Sequence, residues 1–321
     1  MRLMALGEAW IDAGGVCLLA SSALPEALDA RVRAALGFET IAIDAPAWSG
    51  NDARATLDIA RRYNAAAIAV DSYFADTAYL GALETERRTA FIDDVARQPR
   101  YPCSLLVNQN LSAADALYAG KTEARLLLGP HYVMLRREFI SLRGRIRAIG
   151  PRARRLLITF GGVDPKNASA VALSALGMAP DISGELIVGA ANPRAEHLAG
   201  MAGPLANATL VHDARDMAER IAATDMILSA GGTTIWEAAA LGAPMMLVAS
   251  APEEEDAARH MTRHGGIYLG LVEDLRPGAL AGAINAFAAD LAARARSSVV
   301  GRGMVDCFGA ERVAAALKSL L

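Results

Sequence analysis

Short apolar runs alternate with alanine-rich stretches along the whole chain. A first set reads VCLLAS from Val16, TIAID from Thr40, AAIAVDSY from Ala66, CSLLVNQ from Cys103 and RLLLG from Arg125. A second set reads RRLLITFGG from Arg154, ISGELIVGAANP from Ile182, ATLVHD from Ala208, MILSAGG from Met226, PMMLVAS from Pro244 and GIYLGL from Gly266. The runs are continuous rather than alternating, as in parallel strands covered on both faces. Helical stretches between them make a βαβ series. The pattern predicts an α/β fold of two doubly wound, Rossmann-like domains facing across a cleft, with ligands outside the carboxyl ends of the strands.

Between the two sets lies RREFISLRGRIRAIGPRARR, Arg136 to Arg155, interrupted by Gly150-Pro151. It places the expected boundary near residue 150, giving domains 1–150 and 151–321. Its arginines read either as a patch for an anionic substrate or as a solvated connector. The first domain begins unusually. Leu3, Leu6, Gly7 and Trp10 share one helical face, and Gly14-Gly15 ends that helix. A doubly wound domain ordinarily begins on a strand, whereas this chain begins on a helix.

Composition narrows the classes. At roughly 150 residues per domain, 321 residues make about two domains, and 53% hydrophobic content supplies two cores. A formal net charge of -3 gives no electrostatic reason to expect nucleic acid or an anionic membrane as partner. Cys17, Cys103 and Cys307 are scattered, which reads as reduced, buried thiols. His260 and His264 stand one helical turn apart but have no third ligand nearby, so no metal is expected. Glu8 and Asp12 interrupt the apolar start, and no run reaches the ~18 residues of a membrane span. The expectation is a soluble, cytoplasmic protein.

Two glycine loops carry the candidate chemistry. In LSAGGTTIWEAAALGAP, Leu228 to Pro244, a strand runs into Gly231-Gly232, and Thr233 or Thr234 opens a helix. The leading N–H groups of that helix suit a phosphate. The alternative is a plain turn, with Thr234 as N-cap and Glu237 three residues on completing a capping box. The second loop is FGGVDPKN, Phe160 to Asn167, in which Asp164 either caps the next helix or meets a ligand. Neither loop has the G-x-G-x-x-G or G-x-x-x-x-G-K-[ST] spacing. That argues against a dinucleotide dehydrogenase and against a P-loop NTPase, and no cofactor is expected.

These motifs, taken in order with VDSYFADTAYL, LVNQNL, RLLLGPHYVMLRREF, VGAANP, VHDARDMAERIAATDM and FGAERVAAAL, resemble a known family. The second half looks like the nucleotide-binding half of the two-domain glycosyltransferase-B (GT-B) fold. Nearly the whole chain resembles the UDP-2,4-diacetamido-2,4,6-trideoxy-β-L-altropyranose hydrolases of pseudaminic acid biosynthesis, which serves flagellin glycosylation. The resemblance implies a UDP-sugar substrate. It assigns Gly231, Gly232, Thr233 and Thr234 to the diphosphate and Glu237 to the ribose. The backbone at Asp216 and Met217 would meet the uracil, and Gly161, Gly162 and Asp164 the sugar or its phosphate. Asp71 and Tyr73 would approach the sugar, with a backbone-bonded strand-end Asp and a packed Tyr as the alternatives.

Two departures stand out. The family's opening G-x-G-H-V-M-R loop, whose histidine is thought to activate water, aligns only at Met1-Arg2. The expectation is therefore a start that lies upstream, since loss of a central parallel strand would leave open sheet edges. Where the family has an Asn-Gln pair, this chain has Glu253 and Glu254, which would repel a diphosphate unless they point away. The implied activity is hydrolysis of a UDP-linked amino-deoxy sugar. The alternatives are a glycosyltransferase using the same donor and a catalytically impaired nucleotide-sugar binder.

Overall fold

The computed structural model describes residues 1–321 apart from residues 23, 25, 38, 39 and 146 and the side chains of 27, 36, 252, 253 and 256. The chain divides into two compact units, Met1–Arg137 with Cys307–Leu321, and Glu138–Asp306. The last helix therefore belongs with the first half of the chain.

The first unit opens with α1 (Arg2–Asp12), β1 (Leu19–Ser21), α2 (Glu26–Leu36) and β2 (Thr40–Ala42). It continues with α3 (Gly50–Arg62), β3 (Ala67–Asp71), α4 (Thr77–Glu84), β4 (Arg88–Ile92), β5 (Leu105–Asn108) and β6 (Arg125–Leu128). Its strands form two parallel sheets, a β1-β2 pair and a four-stranded β3-β4-β5-β6 sheet. Alternation along these strands sends Ala90, Ile92, Leu105 and Val107 to one face and Phe91 and Leu106 to the other. Helices cover both faces, so the strands read as continuous apolar runs.

Helix α1 explains its own odd composition. Ala5, Leu6 and Ala9 pack on the four-stranded sheet, while Met4 joins Val32, Leu19 and Leu28 beside the two-stranded one. It is buried on two sides, so the predicted single face widens. It ends as expected, with Gly14 at φ +83, and Gly15 lies so close to Trp10 that a Cβ there would stand 2.2 Å from the indole.

The second unit begins within α5 (Arg137–Leu142) and continues with β7 (Arg155–Thr159), α6 (Ala168–Gly177), β8 (Ser183–Val188), α7 (Ala195–Ala202) and β9 (Ala208–His212). It then runs through α8 (Met217–Ala223), β10 (Met226–Ala230), α9 (Thr234–Ala240), β11 (Met245–Ala249), α10 (Pro252–Arg263), β12 (Ile267–Leu271), α11 (Pro277–Ala289) and α12 (Leu291–Met304). Its six strands are all parallel, in the order β12-β11-β10-β7-β8-β9. Leu156, Ile158, Leu186, Leu228, Met246 and Val248 bury one face against α6, α7 and α11. Finally α13 (Gly309–Lys318) packs on α1 in the first unit, where a Cβ on Gly309 would meet the Val133 carbonyl oxygen at 2.2 Å.

All six strands of the second unit coincide with the runs of the second set. One strand of the first unit was not among the first-set runs: β4, RTAFI. Only four apolar or neutral residues follow Glu84-Thr85-Glu86-Arg87-Arg88, and charges resume at Asp93, so the run is too short to stand out. Most arginines of the connector lie on a solvated face: Arg143, Arg145, Arg152, Arg154 and Arg155 are exposed, and several join surface ion pairs. Arg137 pairs with Asp12, Arg155 with Asp225, and Arg294 reaches back to hold the connector. The Arg294 guanidinium is 1% exposed and donates to the carbonyls of Phe287, Gly150 and Pro151. Replacing it removes the donor to the Gly150 and Pro151 carbonyls, while Phe287 keeps the Asp290 amide. Arg294→Ala is expected to lower stability by about 2–4 kcal/mol, read as a lower urea midpoint. An unchanged midpoint would show that the clamp contributes nothing.

Candidate functional site

The winding of the second sheet reverses between β7 and β10, which are paired neighbours with Thr159 opposite Ser229. That is a topological switch point, where the loops leaving two adjacent carboxyl ends turn opposite ways and open a crevice. The two glycine loops are those loops. Gly161, at φ +78, and Gly162 face open space, and so does Gly232. Gly231 differs: a Cβ there would sit 2.7 Å from the Glu254 carbonyl oxygen, so its smallness serves the packing of α10. Gly189, at the end of β8, presses on the first loop from behind, its Cβ position 2.5 Å from Gly162 Cα.

The alternative reading, with Thr234 as N-cap of a capping box, does not hold. Thr233 is already helical (φ -60, ψ -23), is itself the cap residue, and makes no side-chain cap bond. A cap needs an extended residue to turn its hydroxyl onto the N3 amide, and the glycine pair delivers the chain to Thr233 in the helical region instead. Thr234 is thus the first helical residue, and Glu237 lies in the first turn of α9, 7% exposed. The first bonds of the turn run from Ile235 N to Gly232 O and from Trp236 N to Thr233 O. The amides of Gly232, Thr233 and Thr234 precede them, as the leading N–H groups of any helix do.

Asp164 takes the capping role. It is 2% exposed at φ +48, and its Oδ1 and Oδ2 accept from Ala168 N (2.8 Å) and Ser169 N (2.9 Å). Its carbonyl accepts from Arg194 Nη1 at 3.2 Å. The carboxylate that α6 attracts is the protein's own, and Asp164 shapes the first glycine loop. Further along the sheet edge, Asp216 precedes α8 and Met217 opens it, 9% exposed. Asp216 accepts from Arg220 Nε at 2.7 Å, which holds its carboxyl below the usual range. Glu254 accepts from Ser250 N at 2.7 Å, so its carboxylate is turned back on its own helix start. The Glu253 side chain lies outside the described residues.

In the first unit Asp71 stands at the carboxyl end of β3. Both its oxygens accept from Arg2, Nη2 at 2.5 Å and Nε at 3.0 Å. Arg2 also donates through Nη1 to Asp94 at 2.7 Å, and Asn110 Nδ2 donates to the same Asp94 oxygen at 3.1 Å. Burial alone would pull the Arg2 guanidinium down, but the two carboxylates more than offset it and hold the group charged. The Tyr73 ring is mostly exposed while its hydroxyl end sits near Asp94. Desolvation there, with Asp94 next, pushes the phenol up to about 12, so it is a donor at neutral pH. Asp94 was not singled out in the sequence, and Arg2 and Asn110 stood only within the family motifs Met1-Arg2 and LVNQNL. A signal existed for Arg2: it is a cation in the first turn of a helix, where the dipole disfavours it.

Two pairs of substitutions separate these roles. Gly231→Ala is expected to cost about 1–3 kcal/mol of stability, because backbone must shift, whereas Gly232→Ala should stay within about 0.5 kcal/mol. Equal melting temperatures for the two would contradict the packing account of Gly231. Arg2→Met strands two carboxylates and should cost about 3–5 kcal/mol, partly recovered in Arg2→Met with Asp71→Asn. Simple additivity of the two changes would mean that Arg2 and Asp71 are not coupled.

Similarities to other proteins fit this geometry. Residues 193–295 match the glycosyltransferase family 28 C-terminal domain. The spore coat polysaccharide biosynthesis protein SpsG of Bacillus subtilis is 26% identical over 200 residues, which cover 61% of this chain and 59% of that protein. The matched stretch is thus under two thirds of that relative's length. Among solved structures, MnaA of S. aureus bound to UDP superposes with a TM-score of 0.71 at 13% identity, covering 99% of this chain and 93% of that one. MurG of Acinetobacter baumannii gives 0.66 at 12% identity, covering 99% and 95%. HepE of Anabaena in complex with UDP and glucose gives 0.63 at 14% identity, covering 100% and 96%. At these identities the likeness is one of fold. The chain has the GT-B glycosyltransferase-like fold, with a stretch of its second unit that matches the family 28 C-terminal domain.

Proposed function

We propose that this protein binds a UDP-linked amino-deoxy sugar and hydrolyses it to UDP and the free sugar, in the biosynthesis of a nonulosonic acid of the pseudaminic type. The observation that carries this reading is the pair of open glycine loops at the switch point. Gly161, Gly162 and Gly232 let a ligand approach the backbone without a side chain in the way. Amides of Gly232, Thr233 and Thr234 suit the diphosphate, buried Glu237 suits a ribose hydroxyl, and the backbone at Asp216 and Met217 suits the uracil. Support comes from MnaA and HepE, which share this fold and were solved with UDP, and from the named process of SpsG.

In this reaction water attacks the anomeric carbon. The bond from that carbon to the β-phosphate oxygen breaks, its electron pair goes to the departing UDP, and the proton of the water is released. Donors aimed at the diphosphate stabilise the charge that grows there. Asp71 and Tyr73 serve the sugar, with Arg2 and Asp94 fixing the Asp71 carboxylate and the neighbouring Tyr73 hydroxyl.

A glycosyltransferase reading uses the same donor and leaving group and draws on the family 28 match. The two are separated by what UDP release requires. Calorimetric titration should show UDP binding at micromolar to millimolar levels, weakened about tenfold or more by Gly232→Val. Absence of heat at protein concentrations well above micromolar would end the nucleotide reading. Release of UDP from a UDP-amino sugar in buffer alone supports hydrolysis, and release only with added acceptor supports transfer. Binding without release under either condition leaves a nucleotide-sugar binder.

A further inference from the structure

Among the connector arginines, Arg147 has an unusual set of partners. Its Nη1 donates to the Thr224 carbonyl, its Nη2 to the Ile221 carbonyl, and its Nε to the Leu241 carbonyl at 3.3 Å. Ile221 and Thr224 are the last turn and C-cap of α8, and Leu241 is the C-cap of α9. One guanidinium thus satisfies orphan carbonyls of two helices and places a positive charge at the negative ends of both dipoles. Burial pushes it down to about 10, with Asp225 acting the other way and Arg155, Arg145 and Arg302 adding to the fall, so it stays charged at neutral pH.

The opposite ends of these two helices are the points assigned to the nucleotide. The N-terminal end of α8 is Asp216–Met217, and that of α9 follows Gly231–Thr233. Each helix has 7 residues. At about 1.5 Å per residue, each is a rod of roughly 10 Å, too short to bend between its ends. The helices also pack against one another. A change in separation at their C-terminal ends therefore reaches their N-terminal ends.

We infer that Arg147 is a positioning residue that sets the spacing between the base-binding end of α8 and the diphosphate-binding end of α9. The inference rests on the nucleotide reading above and adds a residue that touches no ligand. Its chemistry demands arginine, since three carbonyls in three directions suit a planar fork of donors and not a single ammonium.

The test compares UDP with its two halves. Affinities for UDP, uridine and pyrophosphate are measured for the wild-type protein, Arg147→Lys and Arg147→Met, with melting temperatures alongside. Arg147→Lys should bind uridine and pyrophosphate within about twofold of wild type, yet lose about tenfold or more for UDP, the only ligand that needs both helix ends at a set distance. Arg147→Met should show the same or a larger selective loss. If wild type binds UDP and both folded variants bind it equally well, the inference is overturned and the nucleotide reading stands. A parallel loss for all three ligands with a lower melting temperature also overturns it, by reducing Arg147 to general stability. Failure of wild type to bind UDP overturns the nucleotide reading and this inference with it.

Discussion

The parallel pairing of β7 with β10 is the constraint on which the second unit depends. It forces the chain to wind outward in both directions from one line, so two strand-to-helix loops leave side by side. Each loop then needs backbone without side chains, and each has two glycines. The demands on them differ. Gly161, Gly162 and Gly232 leave space open, while Gly231 and Gly189 allow other backbone to come close. A single loop thus mixes a residue that builds the site with one that leaves it accessible.

Two buried arginines, Arg2 and Arg294, and the half-buried Arg147 show how the structure handles charge taken out of water. Arg2 is held between two carboxylates and an adjoining amide network. Arg294 and Arg147 are held by main-chain carbonyls at the ends of helices and at the connector. Isolated burial of such a cation would cost several kcal/mol or more. Carbonyls at helix ends are suitable partners because they are unsatisfied in any case. The result is that the stretch after α5 is fastened to the rest of the second unit by Arg147 and Arg294, although its sequence resembles a loose basic linker.

The fold was legible where the physics is local. Continuous runs such as RRLLITF and PMMLVAS mark strands buried on both faces, and every strand of the second unit was visible in this way. The strand RTAFI was not, because its short apolar core is flanked by charges that belong to the preceding turn and the following loop. The site was legible as residue types but not as roles. The sequence around Asp164 fits both a cap and a ligand contact, and what decides between them is the bonding of its oxygens to the Ala168 and Ser169 N–H groups. The Thr234–Glu237 box matched its template by spacing, yet the cap depends on a backbone angle at Thr233 that spacing does not encode. Arg2 with Asp71 and Asp94, and Arg147 with three carbonyls, join residues tens of positions apart. No local pattern announces such pairings.

The central claim is that the carboxyl ends of β7 and β10, at the switch point of the six-stranded sheet, receive a nucleoside diphosphate. Amide chemical-shift mapping on titration with UDP addresses it directly. The account predicts that the shifts concentrate at residues 160–162, 216–217 and 231–237. Shifts spread elsewhere in the second unit, with those three segments unmoved, would contradict it.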